Sequence, residues 1–238
     1  ATGLANQDGR VLMVDIGTNG EIVMSDGGRM VACSTAAGPA FEGAQISSGM
    51  RAGEGAIEFV QIGEDIDVKV IGQTRPRGIC GSGLIDLIAE LLRVGIIDET
   101  GRLQDALELQ GLSPKLLERI RTGEAGNEFV VVWGEESADG SDIVLTQRDI
   151  RELQLAKGAI RAGTMILQKV LGIKDEDIDE LLLAGAFGNY IRKESAMQMG
   201  LLPRVPLEKV CSVGNAARVG ARLCLISQAK LEEASGLA

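Results

Sequence analysis

Four glycine-rich stretches hold the residues of this chain whose types and spacing could do chemistry. The first is Asp15-Ile16-Gly17-Thr18-Asn19-Gly20-Glu21. A carboxylate ends an apolar run there. The glycines then allow a tight turn that can aim backbone N–H groups at a phosphate. Asp15 in that place could hold Mg2+, through water, because that ion keeps part of its hydration shell. The plainer alternative is an ordinary hairpin turn. A strand follows rather than a helix, which separates the stretch from the P-loop and from the dinucleotide fingerprint. The second stretch is Ala184-Gly185-Ala186-Phe187-Gly188-Asn189, after the apolar Leu181-Leu182-Leu183. Its glycines would admit a flat ring, with Phe187 as a wall; otherwise it is a strand-to-helix turn with Phe187 in the core. The third, Ser212–Ala217, reads best as helix capping and close packing. The fourth, Gly78-Ile79-Cys80-Gly81-Ser82-Gly83, opens a helix. Free N–H groups at a helix start favour an anion by roughly 0.3–1 kcal/mol. Ser82 could cap that helix or touch a ligand, and Cys80 reads as a buried thiol.

Composition narrows the field. The chain has 238 residues, 45% of them hydrophobic and only 3% aromatic. Aliphatic side chains must therefore fill the core, as suits packed α/β layers. A net charge of −10 argues against nucleic acid or an anionic membrane as partner. With no histidine, imidazole catalysis and imidazole zinc sites are excluded. Cys33, Cys80, Cys211 and Cys224 form no C-x-x-C pair, so a zinc ribbon or cluster within the chain is not expected. Isolated cysteines in apolar stretches read as buried thiols and fit a reducing cytoplasm. No apolar run is long enough to span a bilayer. The polar start without methionine gives the expectation of a fragment of a longer protein, a processed terminus being the alternative.

Several elements must position these stretches. Strands are expected at Val11–Ile16, Glu21–Ser25 and Arg29–Ser34, a meander turned by Asp26-Gly27-Gly28. Two more follow at Ala56–Ile62 and Ile66–Ile71. Helical periodicity covers Leu84–Val94. Residues 95–145 read as an insertion or minor subdomain, with a helix candidate at Ser113–Arg121 and a strand at Glu128–Trp133. Gln147–Leu171 is the strongest helix. On it Lys157 and Arg161 lie four apart, and one could reach a phosphate, a solvated helix face being the plainer reading. A strand at Ile178–Ala184, a helix at Glu194–Leu201, a strand at Val210–Val213 and a last helix from Asn215 to about Leu231 complete the chain. The expected domain is thus a single lobe over residues 1–238, with its core at about 10–94 and 146–232. A dinucleotide fold would alternate strand and helix from the start. The meander-first order matches an α/β ribonuclease-H-like lobe, a mixed sheet with flanking helices.

Longer runs carry a narrower resemblance. Val14–Ile22, Ser34–Gly43, Gly78–Leu84, Asp149–Lys157, Leu183–Ile191 and Val213–Ala217 resemble the C-terminal part of reductive activators of corrinoid proteins, over nearly the whole chain. That family belongs to the actin, sugar-kinase and heat-shock-chaperone superfamily. The resemblance implies ATP and Mg2+ as ligands, with Asp15 on the metal and Gly17, Thr18, Asn19 and Gly20 around phosphate. It implies that Gly185, Ala186, Phe187, Gly188 and Asn189 border the nucleoside. Glu42 is a candidate for contacting ribose or positioning water, and Gly81 and Ser82 are further candidate contacts. The implied activity of the complete protein is ATP-driven reduction of Co(II) corrinoid to Co(I), with the electron delivered by an iron–sulfur cluster in an N-terminal part. The implied partner is a corrinoid protein or methyltransferase component, and an exposed cleft on a lone lobe would favour a homodimer. This chain departs from the pattern by lacking a second phosphate turn and the cysteine cluster, so alone it is expected to be inactive. A non-catalytic docking domain for a corrinoid protein and a small-molecule kinase of the same superfamily are the alternatives.

Overall fold

The computed structural model describes residues 2–4, 7–124, 126–185, 188 and 190–237. In chain order the elements are β1 (Val11–Ile16), β2 (Gly20–Ser25), β3 (Met30–Thr35), β4 (Ala56–Ile62), β5 (Ile66–Val70), β6 (Gly78–Ile79) and α1 (Gly81–Arg93). There follow α2 (Pro114–Glu118), β7 (Ile120–Gly123), β8 (Gly126–Val132), β9 (Ile143–Thr146) and α3 (Gln147–Leu171). The chain ends with β10 (Glu180–Ala184), α4 (Lys193–Gln198), β11 (Val210–Gly214), α5 (Ala216–Ile226) and α6 (Gln228–Ser235). These elements fall into two compact units. The first holds residues 1–36, 159–190 and 203–238, and the second residues 37–158 and 191–202.

The first unit is built on a five-stranded sheet of order β11-β10-β1-β2-β3. β1, β2 and β3 form the antiparallel meander, turned where Asp26 Oδ1 accepts the N–H groups of Gly28 and Arg29. β10 lies parallel to β1, and β11 parallel to β10. Period-two alternation gives this sheet two faces. Leu12, Val14, Ile16, Ile22 and Met24 are buried. The closing half of α3 packs over β2 and β3. A Cβ on Gly163 would meet Thr35 Cγ2 at 2.6 Å and Ile22 Cδ1 at 2.7 Å, so only glycine lets the helix come so near. Ile160, Thr164 and Leu167 complete that layer, each buried. A smaller cluster of Leu4, Val11 and Leu182, with Met13, Val23 and Val213 against it, covers the other side.

In the second unit β4 pairs antiparallel with β5 and parallel with β6, and β8 is flanked by β7 and β9. α1 buries Leu84, Ile85, Leu87, Ile88 and Leu91. Each such side chain contributes about 1.5–3 kcal/mol relative to exposure. The start of α1 presses on β4 so closely that a Cβ on Gly83 would overlap the Ile57 carbonyl oxygen. Asp149, fully buried, accepts the Ser47 N–H at 2.8 Å and the Thr146 N–H at 2.9 Å, and so ties the 47 loop to the start of α3. Buried Arg119 spans Asp65 (2.6 Å) and the carbonyls of Val130 and Val131, holding α2 and β7 to their neighbours.

Most expected elements are present, with informative shifts. α1 starts at Gly81, three residues before its apolar pattern does. β10 starts at Glu180, because Asp175–Asp177 winds into a 3-10 turn in which Asp177 Oδ2 accepts the Lys174 N–H. α4 is shorter than expected. The last helix breaks in two at Ser227, which is extended and caps α6 by accepting the Lys230 N–H. Of the cysteines only Cys80 is buried; Cys33 and Cys224 are half-buried and Cys211 exposed, which corrects the expectation of buried thiols throughout. Cys211 faces outward because it lies on the sheet's edge strand β11.

Candidate functional site

The carboxyl ends of the three parallel strands β1, β10 and β11 converge in the first unit. In open α/β sheets, ligands bind in the crevice outside such strand ends. β1 ends at Asp15-Ile16 and turns through Gly17, Thr18 and Asn19, closed by the Gly17 N–H donating to the Asn19 carbonyl at 3.0 Å. Thr18 and Asn19 are exposed. Gly20 belongs to β2 instead and is buried against Ile160 and Thr35, whose hydroxyl donates to the Gly20 carbonyl at 3.1 Å.

Parallel pairing sets Asp15 opposite Ala184, the last residue of β10. Gly185 therefore arrives beside the Asp15 carboxylate. It has φ +97°, and an added Cβ would meet Asp15 Oδ1 and Ile16 O, each at 2.7 Å. Its N–H donates to the Gly214 carbonyl at 2.9 Å, tying the second glycine turn to the end of β11. Gly188 packs over Ala184, and the Ser212 hydroxyl donates to its carbonyl at 3.4 Å. Ala186, Phe187 and Asn189 lie outside the described residues. Asn215 accepts the Arg218 N–H at 2.8 Å and caps α5, as its sequence context predicts.

Antiparallel pairing sets Asp15 opposite Glu21. Burial raises the Asp15 proton affinity above that of an ordinary carboxylate, and the Glu21 charge adds to the rise. Like charges directly across a ladder are destabilising. The charge of this half-buried carboxylate is therefore held at an electrostatic cost, which either a proton or a cation would relieve. Glu21 is a residue that the reading of motifs missed. The signal was present: a three-residue turn after Ile16 must set position 15 against position 21. Ser34 Oγ donates to Glu21 Oε1 at 3.2 Å and steadies it.

The remaining candidates lie in the second unit. Glu42 ends a 3-10 turn over Pro39–Glu42 and is exposed. Gly81 and Ser82 are buried in the first turn of α1. Ser82 does not cap the helix, because the N-cap is Cys80 and lacks a side-chain cap bond; the Ser82 hydroxyl lies 3.4 Å from Cys80 Sγ. Cys80 Sγ also contacts the Ile57 carbonyl, the surroundings of a structural thiol. Arg161, a sequence candidate for phosphate that belongs to the first unit, is engaged by Asp175 at 2.8 and 3.0 Å, which accounts for its charge. Among the described residues no group of three acidic, cysteine or histidine side chains could hold a metal alone. Nor is any helix among them long and apolar enough to cross a membrane.

A mixed sheet of this order, with a carboxylate turn after its first strand and a glycine turn after the adjacent parallel strand, defines an actin-like lobe of the ASKHA class. Within that class the assignment is specific: residues 10–238 match the family described as the C-terminal domain of RACo, the ASKHA domain, and the chain belongs to it. It is 43% identical over 221 residues to the corrinoid activation enzyme RamQ of Eubacterium limosum, covering 91% of this chain and 37% of that protein. It is 29% identical to the [Co(II) methylated amine-specific corrinoid protein] reductase of Methanosarcina barkeri, covering 93% of this chain and 40% of that one. A solved structure titled reductive activator for corrinoid, iron-sulfur protein superposes with a TM-score of 0.88 at 44% identity, over 99% of this chain and 37% of that chain. The chain thus spans about two fifths of the length of the relatives it matches.

Proposed function

We propose that this domain is the nucleotide-gripping lobe of an ATP-dependent reductive activator that returns a Co(II) corrinoid protein to Co(I). The observation that carries the reading is the meeting of Asp15 and Gly185 at the carboxyl ends of paired parallel strands, in a chain of this family. The named relatives act on corrinoid proteins, which supports a corrinoid protein or methyltransferase component as partner. Asp15 would hold Mg2+, and the exposed Thr18 and Asn19 with Gly17 would line the phosphates. Gly185 and Gly188, with Ala186, Phe187 and Asn189, would border the nucleoside.

The donor set fits Mg2+ rather than a dedicated metal cage. One carboxylate stands at the strand end with a like charge opposite, and Mg2+ is held by one or two carboxylates together with water and substrate phosphates. When bound, that ion neutralises phosphate charge. Asp15 fixes its place, and the glycine turns let backbone N–H groups approach the nucleotide without side chains intervening. Coupling to electron transfer would follow from differential binding of ATP and its products to two conformations of the complete protein. Glu42, Gly81 and Ser82 are separate expectations, each testable by substitution against nucleotide affinity. All four cysteines are free thiols, which supports a reducing cytoplasm.

The test is Asp15→Ala in the complete protein. Mg-dependent ATP affinity and ATP-driven appearance of Co(I) corrinoid, followed by absorption, should both be lost while circular dichroism is retained. Undiminished ATP affinity in the folded variant would overturn the role of Asp15.

A further inference from the structure

Asp86 sits in the middle of α1, in the second unit, with a side chain 2% exposed. A buried carboxylate is costly unless its oxygens are paired, and here the pairing is incomplete. Asp86 Oδ1 has no hydrogen-bond partner. The Ser195 hydroxyl of α4 and the Val60 N–H of β4 stand beside the carboxylate and favour its charge. The Arg192 guanidinium faces it, but Nη1 stands 3.9 Å from Asp86 Oδ2, an ion pair too long for a hydrogen bond. That Nη1 is itself buried without a hydrogen bond. The two charges share the interior of the unit without satisfying each other.

Arg192 and Ser195 come from one short stretch, residues 191–202, which belongs to the second unit and packs α4 on α1. Its grip is apolar: Ile191, Ala196, Met197, Met199, Leu201 and Leu202 are buried. The Asp86 charge, covered by α4, works against that grip. Two costs decide the balance. When Asp86 ionises, a carboxylate almost wholly out of water must be kept charged. When it is protonated, Arg192 loses its counter-charge. The Arg192 side chain, however, is 37% exposed and its guanidinium lies 5.0 Å from the centroid of Phe59, so water and the ring still support it. The first cost is the larger. We propose that residues 191–202 are a proton-sensitive strap, seated on α1 by their apolar side chains and loosened when the buried Asp86 ionises. The strap lies within the second unit and does not depend on the nucleotide reading.

The charged groups facing Asp86 are Arg192 from the segment before α4 and Glu90 from its own helix, itself bonded to Arg93 at 2.7 Å. β4 contributes the Val60 N–H and α4 the Ser195 hydroxyl. Burial raises the proton affinity of Asp86 above the ordinary range. Ser195, Arg192 and Val60 oppose the rise, and Glu90 adds to it. With the strap lifted, Asp86 reaches water and titrates as an ordinary carboxylate near ~3.9. The seated form therefore binds the proton more tightly. Its added stability is full below the ordinary value and is lost as pH rises through the raised one.

The experiment is hydrogen exchange of the complete protein across pH, as wild type, Asp86→Asn and Arg192→Gln, with the protection of each amide taken relative to its intrinsic rate. The amides of residues 194–202 report the strap, and those of β8 report the rest of the unit. In the wild type, strap protection should fall as pH rises through the Asp86 titration, by at most about tenfold per pH unit, the limit for one proton. β8 should not follow. Asp86→Asn should keep strap protection high and flat. Arg192→Gln takes the facing cation from Asp86, so it should lower protection at neutral pH and carry the fall to higher pH. Arg192 is partly exposed, so its variant serves if Asp86→Asn does not fold. Wild-type strap protection that is flat with pH, or the same fall in Asp86→Asn, would overturn the proposal. Weaker protection in Asp86→Asn than in the wild type would show the charge to be a net grip, and would overturn it too. A parallel fall in β8 would mean that the unit opens as a whole, which equally refutes a strap.

Discussion

Replacing Gly185 by alanine probes the contact between Gly185 and Asp15 on which the proposed site depends. Two costs can be separated. At φ +97° an L-residue is strained, by about 1–2 kcal/mol. The new methyl would also stand 2.7 Å from Asp15 Oδ1 and 2.7 Å from Ile16 O. The carboxylate can swing aside. The Ile16 carbonyl belongs to the β1 ladder and cannot yield without breaking pairing. Overpacking of this kind adds about 1–3 kcal/mol, so the total is about 2–5 kcal/mol against a whole stability of about 5–15 kcal/mol. Gly172→Ala supplies the control. It lies in the same unit at φ +69° with nothing within 4 Å of an added Cβ, so it should lose only the torsional part. Urea unfolding followed by far-ultraviolet circular dichroism measures both. At an m-value near ~2.5 kcal/mol/M the Gly185 midpoint should fall by about 1–2 M and the Gly172 midpoint by less than ~1 M. Mg-ATP affinity should fall only in Gly185→Ala, whose methyl displaces Asp15. Equal midpoints for the two variants would refute the close approach of β10 to the Asp15 carboxylate.

Asp15→Asn should raise the melting temperature of the ligand-free domain while abolishing Mg-dependent nucleotide affinity, because burial and Glu21 both disfavour the charge there; a lowered melting temperature would contradict that electrostatic account. Chelating Mg2+ should weaken ATP binding in the wild type but change little in Asp15→Asn, as calorimetry with and without chelator would show. Arg119→Ala strands Asp65 and the Val130 and Val131 carbonyls and should cost about 3–5 kcal/mol by chemical denaturation. The Arg119 guanidinium holds the Asp65 carboxyl below the ordinary range, with the Ile66 N–H helping. A depressed folded pKa gives stability that is full above the unfolded value near ~3.9 and is lost as pH falls through the folded value. Asp65→Asn should therefore flatten the acid limb of the stability curve, and an unchanged limb would show that the pair contributes nothing.

What the sequence reveals depends on whether the deciding contact is local. α3 was legible to the residue because its apolar positions recur over seven turns, and β1 because it is an apolar run closed by a glycine turn. The start of α1 was not. Gly81, Ser82 and Gly83 carry no periodic signal, and they are helical because α1 must touch the β4 backbone, a non-local demand. The break at Ser227 hid for the opposite reason. Apolar residues continue through it, and only the serine's cap on Lys230 marks the new helix. Asp15 and Gly185 were each readable as parts of glycine motifs, but their adjacency comes from a parallel register between distant strands.

The charge of the chain bears on how such a site can hold a polyanion. The net charge is −10, and the turn assigned to phosphate adds Asp15 and Glu21 at its own rim. Arg161, a cation in the same unit, is bound to Asp175. A bare triphosphate would therefore meet repulsion from the carboxylates, offset only by backbone N–H groups. On the proposed function, a triphosphate bound with Mg2+ would bring a cation to Asp15, and the penalty of burying Asp15 opposite Glu21 would be offset. The raised proton affinity of Asp15 and the proposed demand for a metal would then share one cause, the half-buried, unpaired charge beside Glu21. The electrostatic cost at Asp15 in the ligand-free domain would, on that function, be recovered when a cation arrives with the nucleotide.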